Sequence, residues 1–269
     1  MAIEIRLDGK VALVTGGSRG IGRGAALALA DAGADVIVNY HTRRDAADEV
    51  VKLIEAKGRR ALAVQADVAD RAQVEHMVET ALGTFGKIDV LLSNAVSSTR
   101  KTFLETDLET LQRTMDVAFY GNFHVCQTVA RQMVKQGGGG SIIIVGSVHA
   151  IYPLRKAFDY NVAKAALHHM ANIMANELSA YRIRVNIVVP GWIDTPGERK
   201  WVPDDELYRQ GAQLPWGRLG TPEDVARVVV FLASDAAEYV SGSTYHVDGA
   251  LAVSMPAGGS SKAREEKNL

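Results

Sequence analysis

The sequence predicts an α/β fold, a doubly wound parallel sheet with helices on both faces, and three observations predict it. Short β-branched runs recur along the chain with few polar residues inside them, segments of helical spacing fill the intervals, and a glycine-rich turn joins the first run to the first helix. Runs apolar on both sides suit strands covered on both faces. Regular alternation of strand and helix is the pattern of parallel βαβ units.

In order, the runs are Val11–Val14, Val36–Val38, Ala61–Val64, Val90–Leu92, Ile142–Val145, Val185–Val189 and Thr244–Val247. Between them, apolar positions at helical spacing mark Gly22–Asp31, Asp45–Ala56, Ala72–Leu82, Leu108–Lys135, Asp159–Ala180 and Pro222–Leu232. Two segments interrupt the rhythm. Gly137–Gly140 reads as a helix stop and a loose turn. Residues 191–215 carry three prolines with Trp192 and Trp201, and a connection so long and aromatic is expected to be a lid. A single dinucleotide-binding catalytic domain is expected over residues 1–256, followed by a polar, solvated tail at 257–269 with no chemistry of its own.

At 269 residues and 47% hydrophobic composition, the chain has enough apolar surface for one such domain. A formal net charge of -1 and a pI near 6.7 give no broad attraction to nucleic acid or to an anionic membrane, and no basic stripe suggests either partner. The one cysteine, Cys126, excludes an internal disulfide and implies a reducing compartment. It lies in an apolar helical run and is expected to pack inertly. No stretch approaches the ~18 apolar residues of a membrane span, and the first residues lack a long apolar leader, so the cytoplasm is the expected location.

The glycine-rich turn is Thr15-Gly16-Gly17-Ser18-Arg19-Gly20-Ile21-Gly22. Placed after the first strand and opening the first helix, it is where backbone amides and the helix dipole hold a pyrophosphate, and glycine lets the backbone approach closely. A carboxylate at the end of the second strand would bind a ribose 2′-hydroxyl and repel a 2′-phosphate. That strand instead ends Asn39-Tyr40-His41-Thr42-Arg43-Arg44, with no acid before Asp45. With Arg19 nearby in such a fold, these residues favour NADP(H) over NAD(H), which stays possible.

Tyr160 and Lys164 stand four residues apart on a helical segment and so share a face. An ammonium about 4 Å from a phenol, at an effective dielectric of ~20, supplies ~4 kcal/mol, enough to lower the phenol's pKa by ~3 units and let it exchange protons near neutral pH. Ser147, just past the Ile142 strand, is placed to hold a substrate oxygen against that phenol. His149, two residues on, and Trp192 in the long segment are candidate substrate contacts. His124, His168 and His169 have no partners at ligand spacing, and no metal site is expected.

Taken together, the glycine turn, Asp67-Val68, Asn94-Ala95, Ser147, Tyr160-Asn161-Val162-Ala163-Lys164, Pro190-Gly191 and Val247-Asp248-Gly249 resemble, in order and over nearly the whole chain, the short-chain dehydrogenase/reductase family. Around Ser147 and Pro153 the chain looks like bacterial glucose 1-dehydrogenases; elsewhere carrier-protein 3-oxoacyl reductases are nearly as similar. The resemblance implies a Rossmann-type sheet of seven parallel strands and a homotetramer. It implies hydride transfer between a nicotinamide and a carbonyl or secondary alcohol. By the same resemblance Asp67 and Val68 flank the adenine, and Asn94 and Ala95 support the nicotinamide half. Lys164 also binds the ribose, Ile193 contacts the carboxamide, and Pro190, Gly191 and Thr195 join the cofactor set. Three positions depart from the family pattern. Ser93-Asn94-Ala95-Val96 stands for Asn-Asn-Ala-Gly, and Asp248-Gly249-Ala250 for Asp-Gly-Gly. Ala118 replaces an asparagine that holds a relay water; Asn122, one helical turn later, is placed to substitute in part, and otherwise the relay runs through a backbone carbonyl and water alone. The loss at Ala118 also opens a second reading, an NADP-binding sensor or scaffold without turnover.

Overall fold

A computed structural model of the chain describes residues 5–254; residues 1–4 and 255–256 of the expected domain and the tail 257–269 lie outside the described residues. Seven strands form one sheet in the order β3-β2-β1-β4-β5-β6-β7. They are β1 (Val11–Val14), β2 (Asp35–Tyr40), β3 (Ala61–Gln65), β4 (Val90–Ser93), β5 (Gly140–Val145), β6 (Ile183–Pro190) and β7 (Thr244–Val247). Every neighbouring pair is parallel.

The apolar runs have a direct structural cause. Val11 and Leu13 of β1 and Ile142 and Ile144 of β5 point into one core, while Ala12, Val14, Ile143 and Val145 point into the other. The central strands therefore alternate between two buried faces with almost no polar residue to mark the period, while β7, at the sheet edge, is partly exposed and carries Thr244 and His246. The first core packs α3 (Arg71–Phe85), α5 (Asn122–Gln136) and α6 (Phe158–Leu178) through Val74, Val129 and Leu167. The second packs α1 (Gly20–Asp31), α2 (Arg44–Glu55) and α8 (Pro222–Ala233) through Leu29, Ile54 and Val229. Cys126 is buried in the first core, and burial pushes its thiol up to about 12, so it holds its proton at neutral pH. Among the described residues, no helix is long and apolar enough to cross a membrane.

Two elements differ from the sequence expectation. The single helix expected over Leu108–Lys135 is three pieces: α4 (Leu108–Met115), a π-helical turn Asp116–Gly121, and α5. The Asn122 side-chain amide donates to the carbonyls of Ala118 (2.9 Å) and Val117 (3.4 Å), groups whose regular helical pairing the extra residue of a π turn disturbs. Residues 191–215 are not a plain loop either. They contain a 3₁₀ turn, Glu198–Lys200, and the helix α7 (Asp204–Gly211), whose three leading acids suit a helix N-terminus and whose Leu207 is buried. At the Asp248-Gly249-Ala250 departure from the family pattern, Ala250 is held at φ 65°, a left-handed conformation that costs a non-glycine residue about 1 kcal/mol.

Candidate active site

Strand order reverses at β1, whose neighbours are β2 on one side and β4 on the other. Ligand crevices in open α/β sheets lie beyond the carboxyl ends of the strands at such a point. A cleft of about 1270 Å³ opens there, and every predicted cofactor, catalytic and substrate residue lines it except Gly22. Gly22 sits inside the first turn of α1, where a Cβ would collide with the Gly16 carbonyl oxygen and crowd the Asn94 amide. Its absence of a side chain is what lets the turn close against Asn94.

Two polar clamps not singled out in the sequence shape this turn. Asn39 accepts from the Gly16 amide (3.2 Å) and donates to the Ala66 carbonyl (3.1 Å), tying the turn to the β2 and β3 ends. The Thr15 hydroxyl oxygen accepts from the backbone amides of Asn94 (2.9 Å) and Ala95 (3.1 Å), and the Asn94 side-chain amide donates back to the Thr15 carbonyl (2.9 Å). No side chain caps the start of α1, so its first-turn amides are available to an anion. These groups fit a dinucleotide pyrophosphate.

Beyond the turn, Arg19, Thr42 and Arg43 line one end of the cleft, with Tyr40 buried beneath. The His41 ring stands 3.7 Å from the Asp67 carboxylate, bringing together two predicted cofactor contacts from the segments that follow β2 and β3.

At the other end, Ser147 follows β5 with Tyr160 and Lys164 on α6, and all three line the cleft. The Ser147 oxygen accepts from the His149 amide at 3.1 Å, which fixes its rotamer. The approach of α6 depends on Gly146, where a Cβ would collide with the His168 ring; His168 Nε2 instead accepts from the Ser147 amide (3.4 Å). Burial, with Lys164 and His246 nearby, pushes His168 down to about 4, so it stays neutral as that acceptor.

The electrostatics correct one expectation. Lys164 was expected to pull the Tyr160 phenol down; instead burial pushes the phenol above its ordinary value, partly offset by hydrogen bonding to Ser147. The Lys164 ammonium lies 5.7 Å from the Tyr160 ring centroid and donates to the Val145 carbonyl at 2.6 Å. It is itself buried, which pulls it from 10.5 down to about 8. The ammonium is thus held by a carbonyl, and for the phenol desolvation outweighs the hydrogen bond to Ser147.

Asp159, beside Tyr160, is a further residue that sequence reasoning missed. Fully buried, it accepts from the Thr99 amide (3.1 Å) and hydroxyl (2.9 Å), the Thr114 hydroxyl (2.5 Å) and the Tyr160 amide (2.9 Å). One carboxylate therefore ties the loop after β4 and the helix α4 to the first turn of α6.

The departures at Ser93 and Ala118 meet at Asn122. The Ser93 hydroxyl donates to Asn122 Oδ1 at 2.6 Å, and the Asn122 amide is engaged by the carbonyls of Ala95, Val117 and Ala118. Asn122 is buried and holds the π turn, so the structure does not support its expected substitution for the missing relay asparagine. Ala118 is also fully buried and does not line the cleft. Ala118→Asn is accordingly expected to overpack this turn and lower unfolding stability by about 1–3 kcal/mol, read as a fall in denaturant midpoint; an unchanged midpoint would show room that this packing lacks.

Trp192, Glu198 and Trp201 of residues 191–215 line the same cleft. The Trp192 indole donates to Glu198 (3.0 Å), which lies 3.8 Å from Arg100 of the loop after β4, and Arg100 stacks 5.4 Å over the Trp201 ring. His149 Nδ1 lies 2.9 Å from the Tyr152 carbonyl. A carbonyl only accepts, so Nδ1 carries the proton and Nε2 is left as an acceptor; burial lowers the ring's pKa and keeps it neutral. Among the described residues no group of three His, Cys, Asp or Glu is placed to hold a metal ion.

The family model described as enoyl-(acyl carrier protein) reductase matches residues 16–251. The chain is 42% identical over 250 residues to an L-rhamnose 1-dehydrogenase (NAD(P)(+)) of Sphingomonas sp. (strain SKA58), covering 93% of this chain and 98% of that one. The chain belongs to the short-chain dehydrogenase/reductase family. A 3-oxoacyl-[acyl-carrier-protein] reductase of Synechocystis sp. is 39% identical, over 91% of this chain and 98% of the relative. A crystal structure of a short-chain type dehydrogenase/reductase from Mycobacterium marinum superposes with a TM-score of 0.87 at 37% identity, covering 92% and 97% of the two chains. As a short-chain dehydrogenase/reductase, the protein is an oxidoreductase of CH–OH or C=O groups that uses a nicotinamide cofactor.

Proposed function

We propose that the protein is an NADP(H)-dependent reductase or dehydrogenase of a carbonyl or secondary alcohol on a sugar, polyol or ketone, with Ser147, Tyr160 and Lys164 as its catalytic residues. The observation that carries this reading is their meeting at one end of a cleft whose other end holds Arg19 and Arg43 and no carboxylate at the close of β2. The bound cofactor supplies or accepts the hydride. In the reducing direction Ser147 holds the carbonyl oxygen, the Tyr160 hydroxyl gives that oxygen its proton, and the Lys164 ammonium stabilises the phenolate left behind. His149, with Nε2 as an acceptor, suits a substrate hydroxyl near the reacting carbon, which favours a polyhydroxylated substrate over a fatty chain. Residues 191–215 act as a lid on the single catalytic domain, with Trp192 facing the substrate. The family relatives that act on a sugar or an acyl chain support this range of substrates.

A homotetramer acting in the cytoplasm completes the reading. Tyr120, Phe123, Val162 and Ile173, exposed on the π turn, α5 and α6, give these helices apolar surface for a partner subunit.

Cofactor choice is tested by titration. Arg19→Ala and Arg43→Ala are each expected to weaken NADPH roughly 10- to 100-fold, the loss of one charge-assisted contact, and to leave NADH nearly unchanged. Equal losses for the two cofactors would refute the 2′-phosphate assignment.

A further inference from the structure

We infer that Lys200, on the 3₁₀ turn of the lid, is a third ligand of the cofactor's 2′-phosphate, so that the lid closes more firmly over NADP(H) than over NAD(H). This rests on the NADP(H) reading above and names a residue that no motif of the sequence marks.

The carrying observation is a second cavity, of about 310 Å³, walled by Arg19, Arg43 and Ala46 on one side and Pro196, Arg199 and Lys200 on the other. Four cations from three separate stretches of chain face this space, and no acid lines it. Arg199 is neutralised within its own segment by Asp194 (2.7 Å) and Asp204 (2.8 Å). Among the described residues, Arg19, Arg43 and Lys200 have no ion pair with a carboxylate. Like charges gathered without a counter-ion repel, and an anion placed between them is bound favourably by all of them.

The shape of the cavity says which anion. Arg19, Arg43, Pro196 and Lys200 also line the main cleft, so the space is a side chamber of the cofactor site. The pyrophosphate belongs at the uncapped start of α1, whereas Arg43 stands at the start of α2, past the end of β2. An anion there sits on the adenosine ribose, as a phosphate monoester. Lys200 is exposed and has a flexible stem that suits it to reach such a point charge.

Two consequences follow by linkage. Lys200→Gln is expected to weaken NADPH and the fragment 2′,5′-ADP about 10-fold, while NADH and 5′-AMP keep their affinities. Lys200→Arg is expected to restore most of the loss. Because the same contact draws the lid down, the carbonyl substrate's KM is expected to rise in Lys200→Gln with NADPH as cofactor and to stay unchanged with NADH. The test is calorimetric titration of the two cofactors and two fragments into wild type, Arg19→Ala and Lys200→Gln, with KM measured for both cofactors. If Arg19→Ala selectively loses NADPH while Lys200→Gln loses neither cofactor, or both equally, the lid assignment is overturned and the NADP(H) reading stands. If wild type binds 2′,5′-ADP no better than 5′-AMP, the NADP(H) reading itself fails and the Lys200 inference falls with it.

Discussion

Replacing Tyr160 by phenylalanine is expected to lower turnover at least ~100-fold and to leave NADPH affinity within about 2-fold of wild type. The substitution keeps the ring and removes only the hydroxyl, the one group at this end of the cleft assigned to give the substrate oxygen its proton. The phenol lies in a desolvated place where burial holds it protonated, as a proton donor in the reducing direction must be. Ser147 does not take over, because a serine hydroxyl is a far weaker acid than a phenol and serves only to hold the substrate oxygen by a hydrogen bond. Stopped-flow oxidation of NADPH with a verified substrate, paired with fluorescence titration of the cofactor, separates the two effects. A variant that kept full turnover would remove Tyr160 from the chemistry.

Lys164→Met is expected to cost at least ~100-fold in turnover and, unlike the tyrosine change, about 10-fold in cofactor affinity, since the lysine is assigned both to the phenolate and to the cofactor ribose. The same variant carries a pH signature in the unliganded protein. In the fold, burial pulls Lys164 from 10.5 down to about 8. Below pH 8 the lysine is protonated in both states and the burial penalty is present in full. Between pH 8 and 10.5 the unfolded chain binds a proton that the folded protein has released, so wild-type stability rises with pH across that window. Lys164→Met has no such group, and the difference between the two denaturation midpoints is expected to change accordingly. Parallel midpoints across the window would mean that the ammonium is not desolvated.

The sheet was legible because each strand of the core feeds two buried faces: Ile142, Ile143, Ile144 and Val145 leave no doubt of a doubly covered strand. The pyrophosphate turn and the Tyr160–Lys164 pair were legible because both depend on local spacing within one turn of chain. What was not legible depends on partners far apart in sequence. Asp159 reads as an ordinary solvated acid at a helix start, yet its acceptor role is set by Thr99 and Thr114 from other elements. The tie between Ser93 and Asn122 joins residues 29 apart, and the π turn it supports continues the apolar periodicity of the helices on either side. The helix α7, DDELYRQG, has too few apolar residues to announce itself. The direction of the Tyr160 shift failed for the same kind of reason: spacing placed the ammonium near the phenol, but not the Val145 carbonyl that holds it.

The central claim, hydride transfer from a nicotinamide to a carbonyl carbon with Tyr160 supplying the proton, is tested most directly by isotope. Wild-type protein and Tyr160→Phe are incubated with NADPH deuterated at the transferable position and a panel of aldoses, ketoses, sugar lactones and activated ketones, and the products are read by mass spectrometry and NMR. The account predicts one deuterium on the former carbonyl carbon of the product alcohol with wild type, in step with NADPH consumed, and product formation at least ~100-fold slower with Tyr160→Phe. Carbon-bound label formed equally fast by both proteins, or no labelled alcohol from wild type across the panel, would contradict it.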